Sequence, residues 1–135
     1  MRKLLKEFKI GAYIRVSTEE QAENPEGSIK NQESRLRDYV AMKKQDGPFG
    51  ELVEVFCDPG VSAKDMNRPA FQRLLRNIQA GEINLVLVTE LSRLTRSTKD
   101  FAILWEFMNE HGCKFQSLRD NFDTTSPAGE MIMFT

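Results

Sequence analysis

Between Lys9 and Val16 the chain alternates between two sets of side chains, a pattern that predicts a β-strand with two different faces. Side chains on a strand point alternately to opposite sides, and we expect one face to lie on the core: Ile10, Ala12, Ile14 and Val16. The other face carries a phenol, a positive charge and a hydroxyl in a row: Gly11, Tyr13, Arg15 and Ser17. Polar sequence follows at 19–27, so Ser17 lies where the strand emerges into a loop, which is where open α/β sheets bind ligands.

The rest of the chain alternates helices and strands, as in a layered α/β domain. Amphipathic spacing predicts helices at 28–44, from Pro69 through Ile78, and from the capping segment 97–100 to Gly112. Their apolar positions are Ile29, Leu36 and Val40, then Phe71, Leu74, Leu75 and Ile78, then Phe101, Leu104, Trp105 and Met108. Apolar runs predict further strands at 52–57, 85–88 and 114–118. We therefore predict an α/β fold with a mixed, mostly parallel four- to five-stranded sheet flanked by helices.

The C-terminal segment predicts one more helix, which starts near Ser126 and Pro127. The chain then ends inside the apolar run 131–134, without a helix stop signal. We interpret residues 1–135 as one domain truncated in this helix, and a short docking tail is the alternative.

Composition narrows the class of protein. The chain has 135 residues, enough for one domain with a core, and a formal net charge of −1, which gives no global attraction to a polyanion. It has no apolar run long enough to span a membrane, and we expect no signal peptide. Cys57 and Cys113 are far apart, and with His111 as the single histidine a zinc site is disfavoured. We expect a cytoplasmic protein with no membrane partner and no cofactor or metal.

The candidate chemistry rests on arginines near Ser17. Arg15 shares its strand face; Arg68 precedes Pro69 and is expected to be extended and to face the loop; Arg93 and Arg96 follow the third strand. The exits of the first and third strands of a parallel sheet lie at one edge, so Ser17, Arg15, Arg93 and Arg96 can converge there. Guanidinium groups match phosphate oxygens, and such a cage favours phosphoryl chemistry with a serine nucleophile and without metal. A Ser-His-Asp hydrolase is disfavoured, because the chain has no G-x-S-x-G motif.

Each of these residues, taken singly, has a simpler explanation as a turn serine or a solvated arginine. Two other functions also remain open on the residues alone. One is a non-catalytic α/β module that binds a phosphorylated ligand through the same arginines and does not need the Ser17 hydroxyl. The other is a degenerate fragment retained for subunit assembly.

Five segments in order resemble the catalytic domain of the serine recombinases, the resolvase/invertase superfamily. They are Tyr13–Thr18 with Gln21, Asp58–Ala63, Asn67–Pro69, Leu91–Arg96 and Thr124–Gly129. The long stretch before Ser28 and the style of the second and fifth segments are more similar to the large serine recombinases, the phage integrases and mobile-element transposases. The resemblance covers nearly the whole chain.

The resemblance implies site-specific DNA recombination. Ser17 attacks a DNA phosphodiester to form a 5′-phosphoserine link, and a homodimer assembles into a tetramer on double-stranded DNA to exchange and rejoin the ends. It implies that the residues around the scissile phosphate are Arg15, Arg68, Arg93 and Arg96. It implies that the supporting residues are Tyr13, Gln21, Gln32 and Ser62.

The resemblance further implies that the helix near residue 126 is a long dimerisation helix and that the DNA-recognition domains are absent from these 135 residues. The chain departs from many relatives at Ser92, where they have aspartate, and Asn67 stands where some have aspartate. These departures leave the general acid unassigned, and neither Asp58 nor Asp65 is chosen for that role.

Overall fold

The computed structural model describes residues 7–17, 25–59, 68–95, 97–119 and 122–123. Its five strands are β1 (Phe8–Val16), β2 (Gly50–Pro59), β3 (Leu85–Val88), β4 (Lys114–Ser117) and β5 (Phe122–Asp123). They form one sheet in the order β2-β1-β3-β4-β5, in which the first four are parallel and β5 runs antiparallel to β4. The predicted mixed, mostly parallel sheet is confirmed.

Helices cover both faces of this sheet. The helices are α1 (Pro25–Gln45), α2 (Pro69–Gln79) and α3 (Thr98–Glu110), and a short 3₁₀ turn (Leu91–Arg93) follows β3. Leu36 and Val40 of α1 pack on one face, against Ile10, Ala12 and Ile14 of β1. Helices α2 and α3 cover the opposite face. Helix α1 begins three residues before the predicted Ser28, which shortens the polar loop after β1.

Local signals explain where α2 and α3 begin and end. Pro69 is the first residue of α2, where a missing N–H costs nothing. Ser97 caps α3, and its hydroxyl accepts a hydrogen bond from the Asp100 N–H at 3.1 Å. Gly112, with φ of 67°, lies just past the end of α3, in the left-handed region that glycine adopts without strain.

The prediction that only one face of β1 lies on the core is wrong. Tyr13 is fully buried and Arg15 is 2% exposed, although both lie on the face that the sequence marks as polar. Strand β1 lies between β2 and β3, and α2 covers this second face, where the Tyr13 and Phe71 rings meet edge to face at 5.7 Å. Ser17, directly after the strand, is half-buried.

A β-bulge in β2 sets the register of the strand ends. Ile10 pairs with Leu52 but Gly11 pairs with Glu54, so Val53 is the extra residue, and it is exposed. After the bulge, Asp58 pairs with Arg15. The bulge therefore brings the Asp58 carboxylate to the carboxyl end of the sheet on the α2 side.

Several predictions lie outside the described residues. These are the loop at 18–24, the segment at 60–67 and the helix predicted near residue 126. In the described part of the chain, no helix combines the length and the apolar character that a membrane span requires. Both cysteines are thiols rather than a disulfide; Cys113 is buried and Cys57 is half-buried.

Candidate active site

The carboxyl end of β1 and the 3₁₀ turn after β3 are tied together by arginines. Arg15 donates hydrogen bonds to the carbonyl oxygens of Arg93 at 3.1 Å and Ser92 at 3.0 Å. Arg93 donates in return from Nη1 to the carbonyl oxygen of Arg15 at 3.1 Å. The predicted convergence of Arg15 and Arg93 at one edge of the sheet is therefore present, and backbone carbonyls hold both side chains.

Arg68 completes this set from the start of α2. Its backbone is extended, as predicted, but its side chain turns inward and is 1% exposed, so the expectation that it faces the loop is wrong. Its guanidinium lies 4.1 Å from the centre of the Phe71 ring and donates to the carbonyl oxygens of Arg93 at 3.3 Å and Leu94 at 2.9 Å. Stacking and carbonyl bonds suit arginine because its planar group is weakly hydrated.

Asp58 is the carboxylate at the base of the site. It accepts hydrogen bonds from the N–H groups of Ala70 at 2.8 Å and Phe71 at 2.9 Å, and from the Tyr13 hydroxyl at 2.8 Å. It therefore caps α2, whose own N-cap residue Arg68 makes no side-chain capping bond. Its buried charge lies close to Arg68, which donates to the same Tyr13 hydroxyl at 3.2 Å.

Gln32 joins α1 to the end of β1. Its Nε2 donates to the Arg15 carbonyl oxygen at 3.1 Å and to the Ser28 hydroxyl at 3.4 Å, and its side chain is buried. Its Oε1 is also buried, and no described residue donates a hydrogen bond to it. Gln32 thus holds the backbone two residues before Ser17.

A carboxylate also lies beside Arg93, although Ser92 stands where aspartate was expected. Glu90 Oε2 is 4.0 Å from Arg93 Nε, and the Ser92 hydroxyl donates to the same oxygen at 3.5 Å. Both charged side chains are largely buried, with 20% and 15% of their surface exposed. Arg93 is the more exposed of the site's described arginines.

The structure brings together Ser17, Arg15, Arg68, Arg93, Tyr13 and Gln32 at the carboxyl end of the sheet. Arg96, Gln21 and Ser62 lie outside the described residues. Sequence reasoning missed the roles of Asp58 and Glu90. The role of Asp58 could have been suspected because the helix that follows Arg68-Pro69 has no capping side chain of its own. For Glu90 the sequence offers only its position after β3.

The buried hydroxyl and thiol predict a loss of stability at alkaline pH. Burial raises the pKa of Tyr13 above its usual value of about 10 and that of Cys113 to about 12. The unfolded chain therefore loses these protons first, and the free energy of unfolding should fall as pH rises above about 9. Urea unfolding between pH 8 and 11 measures this slope.

Cys113→Ala should reduce the fall in unfolding free energy that begins at about pH 9. Tyr13→Phe should reduce the fall above about pH 10. If wild type and a variant with both changes lost unfolding free energy equally with rising pH, Tyr13 and Cys113 would not be the groups responsible.

Among the described residues, no group of three or more His, Cys, Asp or Glu side chains could hold a metal ion. The predicted independence from metal remains a prediction.

Comparison with known proteins identifies the family. Residues 10–135 match the family described as "Resolvase, N terminal domain", so the chain belongs to that family. The crystal structure of the N-terminal catalytic domain of TP901-1 integrase is similar, with a TM-score of 0.78, 29% identity and coverage of 93% of this chain and 88% of that one. The crystal structure of a resolvase family site-specific recombinase from Streptococcus pneumoniae is also similar, with a TM-score of 0.72 and 26% identity. That match covers 93% of this chain and 85% of the other one.

Among relatives similar in sequence, the DNA-invertase hin of Salmonella typhimurium is 38% identical over 85 residues. That alignment covers 60% of this chain and 44% of the invertase. The chain thus spans less than half the length of the DNA-invertases it matches. The resemblance inferred from the five sequence segments is confirmed at the level of the family.

Proposed function

We propose that this chain is the catalytic domain of a site-specific DNA recombinase that cuts and rejoins DNA through Ser17. The observation that carries the proposal is the meeting of Arg15, Arg68 and Arg93 at the carboxyl edge of the sheet. Ser17 follows at this edge, two residues after Arg15. Three guanidinium groups outnumber the two neighbouring carboxylates, Asp58 and Glu90, and give a locally positive site in a chain whose net charge is −1. Membership of the resolvase N-terminal domain family supports the same conclusion.

The chemical step exchanges one phosphoester bond for another. The Ser17 oxygen forms a bond to phosphorus while the bond from phosphorus to the 3′ oxygen breaks, which leaves a 5′-phosphoserine and a free 3′ hydroxyl. The proton that Ser17 loses is balanced by the proton that the 3′ oxygen gains. Because the number of phosphoester bonds is unchanged, reversal of the step rejoins DNA without a nucleotide.

The described arginines divide this work unequally. Arg15 and Arg68 are buried and bound to the carbonyls of residues 92–94, so in this conformation they position the turn that carries Arg93. Their charges still act on a phosphate at the surface, since a low-dielectric interior screens them weakly. Arg93 is best placed to reach phosphate oxygens directly. We propose Arg96 as a further contact and Gln21 and Ser62 as supporting residues.

We further propose that the active form is a homodimer that assembles into a tetramer on double-stranded DNA, without metal or cofactor. Paired cleavage of two duplexes requires four nucleophiles, and each domain has one Ser17. DNA recognition is assigned to regions other than residues 1–135, because the net charge of −1 supplies little attraction to a polyanion.

Trapping the covalent intermediate tests this function. The protein expressed from the longest reading frame that encodes this chain is incubated with fragmented chromosomal DNA of its source and stopped with detergent. After nuclease digestion, mass spectrometry should find a nucleotide attached to Ser17.

The yield of this adduct should be the same in EDTA as in Mg²⁺, because the arginines neutralise the phosphate. Strict dependence on Mg²⁺, with no adduct on protein, would indicate a two-metal nuclease instead. Binding of DNA with neither adduct nor cleavage would support a non-catalytic module.

A further inference from the structure

We infer that Glu90 is a positioning residue that orients the Arg93 guanidinium for its contact with DNA phosphate. The inference rests on the proposed function, since it assigns Arg93 to the phosphate. Glu90 itself would not touch DNA; it acts through Arg93.

Glu90 holds Arg93 at two points. Its backbone carbonyl accepts the Arg93 N–H at 3.0 Å and closes the 3₁₀ turn. Its carboxylate lies 4.0 Å from Arg93 Nε, beyond hydrogen-bond distance but close enough for a strong Coulomb interaction between two mostly buried groups. The backbone contact fixes the position of Arg93, and the carboxylate acts on its side chain.

The Arg93 guanidinium faces the Arg15 carbonyl and the Glu90 carboxylate with different nitrogens. Nη1 donates to the Arg15 carbonyl oxygen at 3.1 Å, whereas Nε faces Glu90. A planar group held at two nitrogens has a restricted orientation, which is what bidentate recognition of a phosphate requires. Loss of the carboxylate would remove the restraint at Nε and leave the Nη1 bond in place.

The side chain of Ser92 lies beside the Glu90 carboxylate. Its hydroxyl donates to Glu90 Oε2 at 3.5 Å, so side chains from positions 90 and 92 meet at one point beside Arg93. A carboxylate attached at position 92 would therefore lie near the place that Glu90 now fills. The geometry predicts that Ser92→Asp can replace Glu90 in its action on Arg93.

The competing explanation is an ordinary ion pair with Arg119. Arg119 Nη1 lies 3.7 Å from the Glu90 carboxylate, but 70% of the Arg119 side chain is exposed. Such exposed pairs contribute little to a fold. Arg119→Ala is therefore the matched control, because it removes a second charge that lies near Glu90 and leaves Arg93 in place.

The first test measures the rate of adduct formation at saturating DNA in the protein from the full reading frame. Glu90→Gln should lower this rate by about tenfold to a hundredfold, the scale expected for a misplaced catalytic group, with DNA affinity changed less than about twofold. Adding Ser92→Asp should restore the rate to within about threefold of wild type, and Arg119→Ala should leave it unchanged. A wild-type rate for Glu90→Gln, no restoration by Ser92→Asp, or an equal loss in Arg119→Ala would overturn the inference.

The second test does not depend on activity. In the 135-residue chain, the Nε–H NMR signal of Arg93 should shift in Glu90→Gln and return toward its original position when Ser92→Asp is added. An Arg93 signal that Glu90→Gln leaves unmoved would overturn the inference even if the variant were inactive. If wild type forms no adduct while the signal behaves as expected, the proposed function fails and the orienting contact stands.

Discussion

Replacement of Ser17 by alanine is expected to lower the rate of covalent adduct formation by at least about a thousandfold, since the variant lacks the oxygen that the proposed mechanism joins to phosphorus. Ser17 is half-buried at the end of β1, so the change removes one oxygen from a site whose arginines are held by backbone carbonyls. DNA affinity and thermal stability should therefore remain close to those of wild type. The adduct assay, a DNA titration and a melting curve measure the three quantities.

Ser34→Ala is the matched control, because Ser34 lies on the exposed side of α1 and should change none of the three. Adduct formation by the Ser17→Ala variant at the wild-type rate would remove Ser17 as the nucleophile. A parallel loss of folding in Ser17→Ala would show instead that the hydroxyl is structural.

Replacement of Asp58 by alanine should produce the largest loss of stability of any single change considered, about 3–5 kcal/mol of unfolding free energy. The change leaves two N–H groups of α2 and the Tyr13 hydroxyl without their acceptor, and leaves the Arg68 charge without its buried carboxylate partner. Asp58→Asn keeps one oxygen and should lose less. Urea unfolding at pH 7 measures the difference.

Asp46→Ala serves as the control, because Asp46 is exposed after α1 and its removal should cost less than about 0.5 kcal/mol. If the unfolding free energy of Asp58→Ala lies within about 1 kcal/mol of the wild-type value, the carboxylate does not hold α2 and the site as described. Loss of adduct formation in Asp58→Asn at unchanged stability would instead point to a part in the chemistry.

Much of the fold could be predicted because the decisive signals are local. The apolar run at Leu85–Val88 marks β3 to the residue, Pro69 marks the start of α2, and Ser97 marks the start of α3. In each case a backbone requirement is met by a neighbour in sequence. The bulge at Val53 could not be predicted, because an extra residue in one strand is defined only by its partner strand.

The meeting of Arg15 and Arg93 at the candidate site was predictable, but the environment of these residues and the parts played by Asp58 and Glu90 were not. The spacing of Arg15 and Ser17 along one strand correctly predicted that both lie at the carboxyl end of the sheet. The same period-two pattern could not reveal that a helix covers the second face of β1, and it is this helix that buries Tyr13 and Arg15. The capping of α2 by Asp58 was hidden for the same reason, since the two are joined only through the sheet.

The bulge at Val53 gives strand β2 one position at which a change of residue or of length leaves the pairing of the strand end unchanged. Many side chains fit at position 53, because it faces solvent. Loss of that one residue would leave Leu52 opposite Ile10 and Glu54 opposite Gly11, so Asp58 would stay opposite Arg15 on the α2 side. Loss of a residue after the bulge, such as Val55, would instead exchange the two sides of the residues beyond it and turn Asp58 toward α1. Over evolutionary time this strand can accept substitution or loss of the residue at position 53, but not a one-codon deletion between the bulge and Asp58.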